Sequence, residues 1–107
     1  MSQTFERIRD LVAREEVRIS EHGYEELTRD GILVAEVIAG TTSGEVVEDY
    51  PNFPKGPCVL VLQRDAIGRP IHVVWGIPRS RVSPAVVVTA YRPDPEKWSN
   101  DFKRRRG

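Results

Sequence analysis

The chain has 107 residues, 39% hydrophobic and 30% charged, which fits a single globular domain with one core and excludes a disordered polypeptide. Its one cysteine, Cys58, excludes an intramolecular disulfide, and one Cys with two His is too few for a structural zinc site, so no metal and no cofactor is expected. Residues 1–14 carry Glu6, Arg7, Arg9 and Asp10 and no apolar run. Neither a signal peptide nor a membrane span is expected there, and the reading is a cytoplasmic protein.

The net charge of zero hides a separation. Residues 1–50 hold five Lys/Arg against twelve Asp/Glu, a net of −7, and residues 51–107 hold eleven against four, a net of +7. Two readings stay open: a polyanionic partner for the basic half, or attraction between the halves on folding.

Residues 4–15 place Phe5, Ile8, Leu11 and Val12 at helical spacing and predict an amphipathic helix. A short extended piece, 17–19, follows. Ser20 is a good N-cap for a helix over 20–29, with Glu21 in its first turn and Gly31 as a left-handed stop. A third helix, 33–39, sets Val34, Val37 and Ile38 on one face. The period then shortens to two, and strands are predicted over 45–50, 58–64, 69–76 and 85–91, with a turn at 65–68. Asp94 caps a short C-terminal helix with Pro95 at its first position. Helices followed by strands predict an α+β domain, with N-terminal helices packed on one face of a four-stranded, mainly antiparallel sheet. Residues 1–16 read as an extra N-terminal helix, 17–100 as the core and 101–107 as a basic tail.

A four-residue turn between Arg64 and Arg69 sets Leu62 opposite Ile71 and Leu60 opposite Val73, and makes these four the core face. His72 then lies beside Val61 on the other face, which helices on one side leave open.

Four landmarks occur in order: Ile19-Ser20-Glu21-His22 with Gly31-Ile32, then Gly44-Glu45-Val46-Val47-Glu48-Asp49-Tyr50-Pro51, then Gly68-Arg69-Pro70-Ile71-His72-Val73-Val74, then Tyr91-Arg92-Pro93-Asp94-Pro95 with Trp98. Across residues 17–105 the set resembles DUF4258, a family of bacterial domains of unknown function. The resemblance implies a fold like RelE-type ribonucleases and kinship with type II toxin–antitoxin systems and toxin domains that cut RNA. It also implies, as a partner, a small antitoxin with a zinc-finger half. Many relatives carry an Arg four residues after the helix histidine. Glu26 stands there in this chain, so a paired His/Arg role does not carry over to His22.

Metal-independent RNA cleavage needs a base for the 2′-hydroxyl, an acid for the leaving oxygen, and cations for the phosphorane charge. His72, mid-strand in an apolar run, is the first candidate acid or base; the plain alternative is a satisfied histidine fixing the sheet. His22, near a helix N-terminus, is a second candidate base, and its spacing to Glu25 and Glu26 reads as a solvated acidic face sooner than a metal pair. Arg64 and Arg69 flank the turn, Arg92 follows the last strand, and Lys103, Arg104 and Arg105 belong to the terminal basic run; all are candidate phosphate ligands or ordinary surface charges. Tyr91 could donate a hydrogen bond or stack on a base, whereas Trp98 and Phe102 read as a hydrophobic latch closing the sheet's end. Glu48 and Asp49 serve either as base and histidine partner or as an acidic edge that discourages strand pairing.

Three functions remain in view. The first is a RelE-like endoribonuclease, the toxin of a toxin–antitoxin pair, with His72, Arg64, His22 and Tyr91 in the site and RNA as substrate. The second is a non-catalytic RNA- or protein-binding module on the basic sheet face. The third is a structural homodimer.

Overall fold

The computed structural model describes residues 2–107. Three helices, α1 (Gln3–Ala13), α2 (Glu21–Arg29) and α3 (Val34–Ala39), accompany five strands, β1 (Val17–Ile19), β2 (Glu45–Tyr50), β3 (Cys58–Arg64), β4 (Pro70–Gly76) and β5 (Ala85–Tyr91). Ser2 caps α1 by accepting from the Phe5 amide at 3.0 Å, and the stripe Phe5, Ile8, Leu11 is buried. Ser20 caps α2 and also donates to the Val88 carbonyl at 2.9 Å, so one hydroxyl starts the helix and fastens it to β5. Gly23 permits that closeness, since a Cβ there would sit 2.6 Å from the Val87 carbonyl oxygen.

The strand order is β1-β5-β4-β3-β2. Strands β2 to β5 form the expected antiparallel meander, but the sheet has five strands and is mixed. The fifth is the short extended piece, whose Val17, Arg18 and Ile19 pair in parallel with Ala85, Val86 and Val87. Helical side chains Phe5, Ile8, Leu11, Leu27 and Val37 pack with Val59, Val61, Ile71, Val73, Trp75 and Val87 in one core on a single face of the sheet.

The turn between β3 and β4 holds five residues, not four, and this slips the expected register by one. Asp65 donates its amide to the Arg69 carbonyl and accepts from the Gly68 amide, both at 3.0 Å, with Gly68 at φ +87°. Leu62 therefore pairs with His72, Val61 with Val73 and Gln63 with Ile71. The core face is Val59, Val61 and Gln63 against Ile71, Val73 and Trp75, and Leu60 and Leu62 move to the far face beside His72.

The expected C-terminal helix does not form. The Lys97 and Trp98 amides both bond the Asp94 carbonyl, and the chain then folds back so that the Ser99 amide donates to the Arg104 carbonyl at 2.8 Å. Ser99 and Asp101 side chains bond one another and the nearby backbone, as small polar residues do when they compete with a helix. Phe102 sits at φ +61°, outside helical geometry.

Gln63 is the one polar side chain set into the helix-facing core of β3. It is 1% exposed, donates to the Val37 carbonyl of α3 at 2.7 Å and accepts from the Trp75 indole at 2.8 Å. Gln63→Leu strands both partners, so it should lower stability by about 2–4 kcal/mol, read as a fall in the thermal midpoint of roughly 10 °C or more.

Candidate functional site

The far face is built by two irregularities. A bulge between Val46 and Glu48 resets the parity of β2, so that Glu45 pairs with Leu62 and Glu48 with Leu60. Both carboxylates thus share the far face although three positions apart. A second shift, between Val74 and Trp75 on β4 as it pairs with β5, leaves Val88 40% exposed on the same side.

His72 lies at the centre of this face and is sealed, at 0% exposure. The seal is the returning C-terminal segment. Trp98 meets the imidazole edge-on at 4.4 Å between ring centroids, and Tyr91 does so at 5.4 Å. His72 Nε2 lies 2.8 Å from the Phe102 carbonyl and Nδ1 3.2 Å from the Tyr91 hydroxyl. A carbonyl only accepts, so Nε2 carries the proton, and Nδ1 accepts from Tyr91. Both nitrogens are satisfied in the neutral ring. Burial pushes the His72 pKa down, and the Phe102 carbonyl and the Glu48 charge only partly offset it. Burial likewise pushes the Tyr91 phenol up.

Beside the ring, Glu48 takes a two-pronged bond from Arg105, at 2.8 and 3.0 Å, and another from the Tyr50 hydroxyl at 2.8 Å. The Arg105 bonds hold its carboxyl below the usual range against the opposing effect of burial. The Arg105 guanidinium also lies over the Trp98 ring, 4.8 Å from its centroid. Lys103 pairs with Glu45.

The remaining sequence-derived candidates lie elsewhere. Arg69 and Arg92 both grip Asp65, whose side chain is 1% exposed, each at 2.9 Å. Asp65 also accepts from the Ile67 and Arg69 amides. Burial works to raise its pKa, and these donors together overcome it and hold the carboxyl low. Arg92 further donates to the Pro70 carbonyl, and its amide bonds Asp30 after α2. This pair therefore fastens the β3–β4 turn to the end of β5 and to α2. Arg64 is exposed and bonds only the Gly68 carbonyl, at 3.2 Å. Arg104 is exposed. His22 stands on α2, in the helical layer on the opposite side of the sheet from His72, with its side chain 65% exposed. The structure thus brings together His72, Tyr91, Glu48 and Arg105, adds Tyr50, and leaves His22 and Arg64 apart. The far face is not open around His72, because the segment that reads as a tail covers it.

The other half of the far face is uncovered. There Cys58, Val74, Gly76, Val86 and Val88 floor a groove of about 320 Å³, with Phe53, Arg18 and Lys55 at its rim. No acidic residue lines it. Arg18 and Lys55 make no ion pair among the described residues, and the Arg79 amide bonds the Lys55 carbonyl at 3.1 Å, which sets the loop carrying Arg79 and Arg81 beside the rim. Burial raises the Cys58 thiol pKa, so the groove's one sulfur is held as the unreactive thiol.

Residues 19–92 match a family profile described as a domain of unknown function, DUF4258. The chain belongs to the DUF4258 family. No curated protein and no solved structure matches it. The DUF4258 match takes in Glu48, His72 and Tyr91 and ends before the segment that covers them. Helix α1 also lies outside it.

Sequence reasoning missed the Asp65 clamp in this DUF4258 chain and the Glu48–Arg105 pair. The first had a signal, an Asp opening a Gly-containing turn with an Arg four residues on. The second had none, since it depends on a bulge and on a chain reversal. No helix is long and apolar enough to cross a membrane. Among the described residues no cluster of three His, Cys, Asp or Glu could hold a metal ion.

Because the folded state keeps His72 neutral, its contribution to stability is complete above the ordinary histidine value of 6.5 and is lost as pH falls through the lower, folded value. Glu48 and Asp65 add a further loss, below their ordinary values of 4.5 and 3.8. The thermal midpoint should therefore drop on going from about pH 7 to about pH 5, and His72→Gln should flatten that slope, measured by thermal melts across the range. His72→Ala should itself cost about 2–4 kcal/mol, because it empties a packed site and leaves the Phe102 carbonyl and Tyr91 hydroxyl without a partner.

Proposed function

We propose that this DUF4258 chain is a non-catalytic binding module whose uncovered sheet half receives an acidic protein segment with apolar side chains. The observation that carries this reading is the groove, whose floor is aliphatic and whose rim holds Arg18 and Lys55, which make no ion pair among the described residues. On the covered side and at the β3–β4 turn, by contrast, Arg69, Arg92, Lys103 and Arg105 are paired with Asp65, Glu45 and Glu48. Aliphatic floors suit the side chains of a protein partner, whereas single-stranded RNA is gripped by stacking on several aromatics, and only Phe53 offers a ring here. A small acidic antitoxin, in a cytoplasmic setting, is one partner that fits this description.

A RelE-like endoribonuclease is the second reading, favoured by one observation: Glu48, His72, Tyr91 and Tyr50 gather a carboxylate, an imidazole and two hydroxyls on one patch. That chemistry suits proton transfer to and from a ribose. In the covered state neither His72 nitrogen is free to reach a substrate, so the uncovered groove is the better-supported site.

Isotope-labelled protein titrated with an acidic peptide of alternating Leu and Glu should show amide shifts centred on Val74, Val86 and Val88, weakening as salt rises. The double change Arg18→Glu and Lys55→Glu should lower affinity about tenfold or more. Shifts caused by a single-stranded oligoribonucleotide and not by the peptide would overturn the protein-partner reading, and RNA cleavage without added metal would install the enzyme.

A further inference from the structure

The cover over His72 has two parts with different attachments. Residues 93–98 are anchored: Pro93 is buried, Trp98 is 4% exposed, and both Lys97 and Trp98 amides are held by Asp94. Residues 99–106 form a mostly exposed flap with internal bonds from the Ser99 amide to the Arg104 carbonyl and from Arg106 to Asn100. Its far end is tied to the anchored part by the Arg106 amide and Nε, which donate to the Lys97 and Pro95 carbonyls at 2.8 and 2.9 Å, and by Arg105 over Trp98. The flap reaches the sheet through three contacts only that bear on His72. These are the Phe102 carbonyl on Nε2, the Lys103–Glu45 pair and the Arg105–Glu48 pair. The Lys103 and Arg105 side chains are 42% and 65% exposed. Exposed ion pairs are weak and easily exchanged. Phe102, which supplies the carbonyl, holds a left-handed φ that disfavours a non-glycine residue.

We propose that residues 99–106 are a displaceable flap over a preformed acid–base cluster, and that a polyanion, drawn also by the exposed Arg104, lifts it by taking Lys103 and Arg105 away from Glu45 and Glu48. The two cations that close the flap, Lys103 and Arg105, are among those a polyanion binds, so binding and closure compete for the same charges. Lifting changes His72 in a defined way. Trp98 and Tyr91 stay packed on the ring, and Nδ1 keeps its bond to Tyr91. Nε2 loses the Phe102 carbonyl and faces solvent beside Glu48, which has lost Arg105. The competition also fixes a direction of response: rising salt or a polyanion opens the cluster, and carboxylates Glu45 and Glu48 favour closure. None of this depends on what occupies the groove across the sheet.

Diethylpyrocarbonate modification tests it on the full chain, with mass spectrometry reading each histidine separately. The exposed His22 serves as an internal standard. At about neutral pH, His72 should react at least a hundredfold more slowly than His22 in the free protein. Added inorganic polyphosphate should raise the His72 rate tenfold or more while hydrogen exchange at the core amides of Val61 and Val73 stays slow. The double change Glu45→Gln and Glu48→Gln should do the same without polyphosphate. A His72 rate that rises only together with exchange at Val61 and Val73 would show the cover to be inseparable from the fold and overturn the proposal. So would an unchanged rate in saturating polyphosphate, whether or not the double variant folds.

Discussion

A sheet with two apolar faces and helices for only one of them is the constraint from which the rest of this structure follows. Strands β3 and β4 read Cys58-Val59-Leu60-Val61-Leu62 and Ile71-His72-Val73-Val74-Trp75, with hydrophobic side chains on both sides of the backbone. Runs of that kind belong in the middle of a layered fold. Helices α1, α2 and α3 cover one side. On the other side Leu60, Leu62 and His72 are buried all the same, and the C-terminal segment covers His72 through Trp98 and the Phe102 carbonyl. The part of the face that the segment does not reach is the groove floored by Val74, Val86 and Val88.

The charge separation between halves finds much of its explanation inside the molecule. Glu45 and Glu48, from the acidic half, meet Lys103 and Arg105 from the basic half, and Asp30 caps the Arg92 amide. Within the basic half, Asp65 holds Arg69 and Arg92. Arg18 and Lys55 at the groove make no ion pair among the described residues, and neither do Arg64, Arg79, Arg81 and Arg104. A buried carboxylate facing two guanidiniums is favourable only when its other lone pairs are filled, and the Ile67 and Arg69 amides fill them for Asp65.

Periodicity made most of the fold legible. The helix at Phe5–Ile8–Leu11, the Ser20 cap and the four-strand meander all follow from local pattern, and each is present. Three features depend on partners far away in sequence and were not legible. Val17–Ile19 reads as an extended piece, but its place as a fifth strand depends on the parallel edge that β5 offers. The register of β3 on β4 turns on one Asp that adds a residue to the turn, and periodicity alone cannot tell four residues from five. The fate of residues 94–106 turns on Trp98 finding His72. For the site, His72 was placed on the correct face for an incorrect register, and its enclosure was invisible because the enclosing segment carries the composition of a solvated tail. Trp98 and Phe102 read as a hydrophobic latch at the sheet's end; in the fold Trp98 lies against His72 at the centre of the far face, and Phe102 contributes its carbonyl.

The β1–β5 pairing has a bearing on how the chain reaches this state. Val17 and Ala85 are neighbours across the sheet yet stand near opposite ends of the domain. The helical layer is synthesised first, and α2 and β1 meet their partner, β5, only when the last strand of the meander has been added. A nascent chain therefore carries unburied amphipathic helices through most of its synthesis, and closure of the domain waits on a contact of very high sequence separation. Contacts of such high sequence separation slow folding, because loop closure must come before the gain they bring. The Ser20 hydroxyl, bonded at once to its own helix and to β5, marks the seam where that last closure is made.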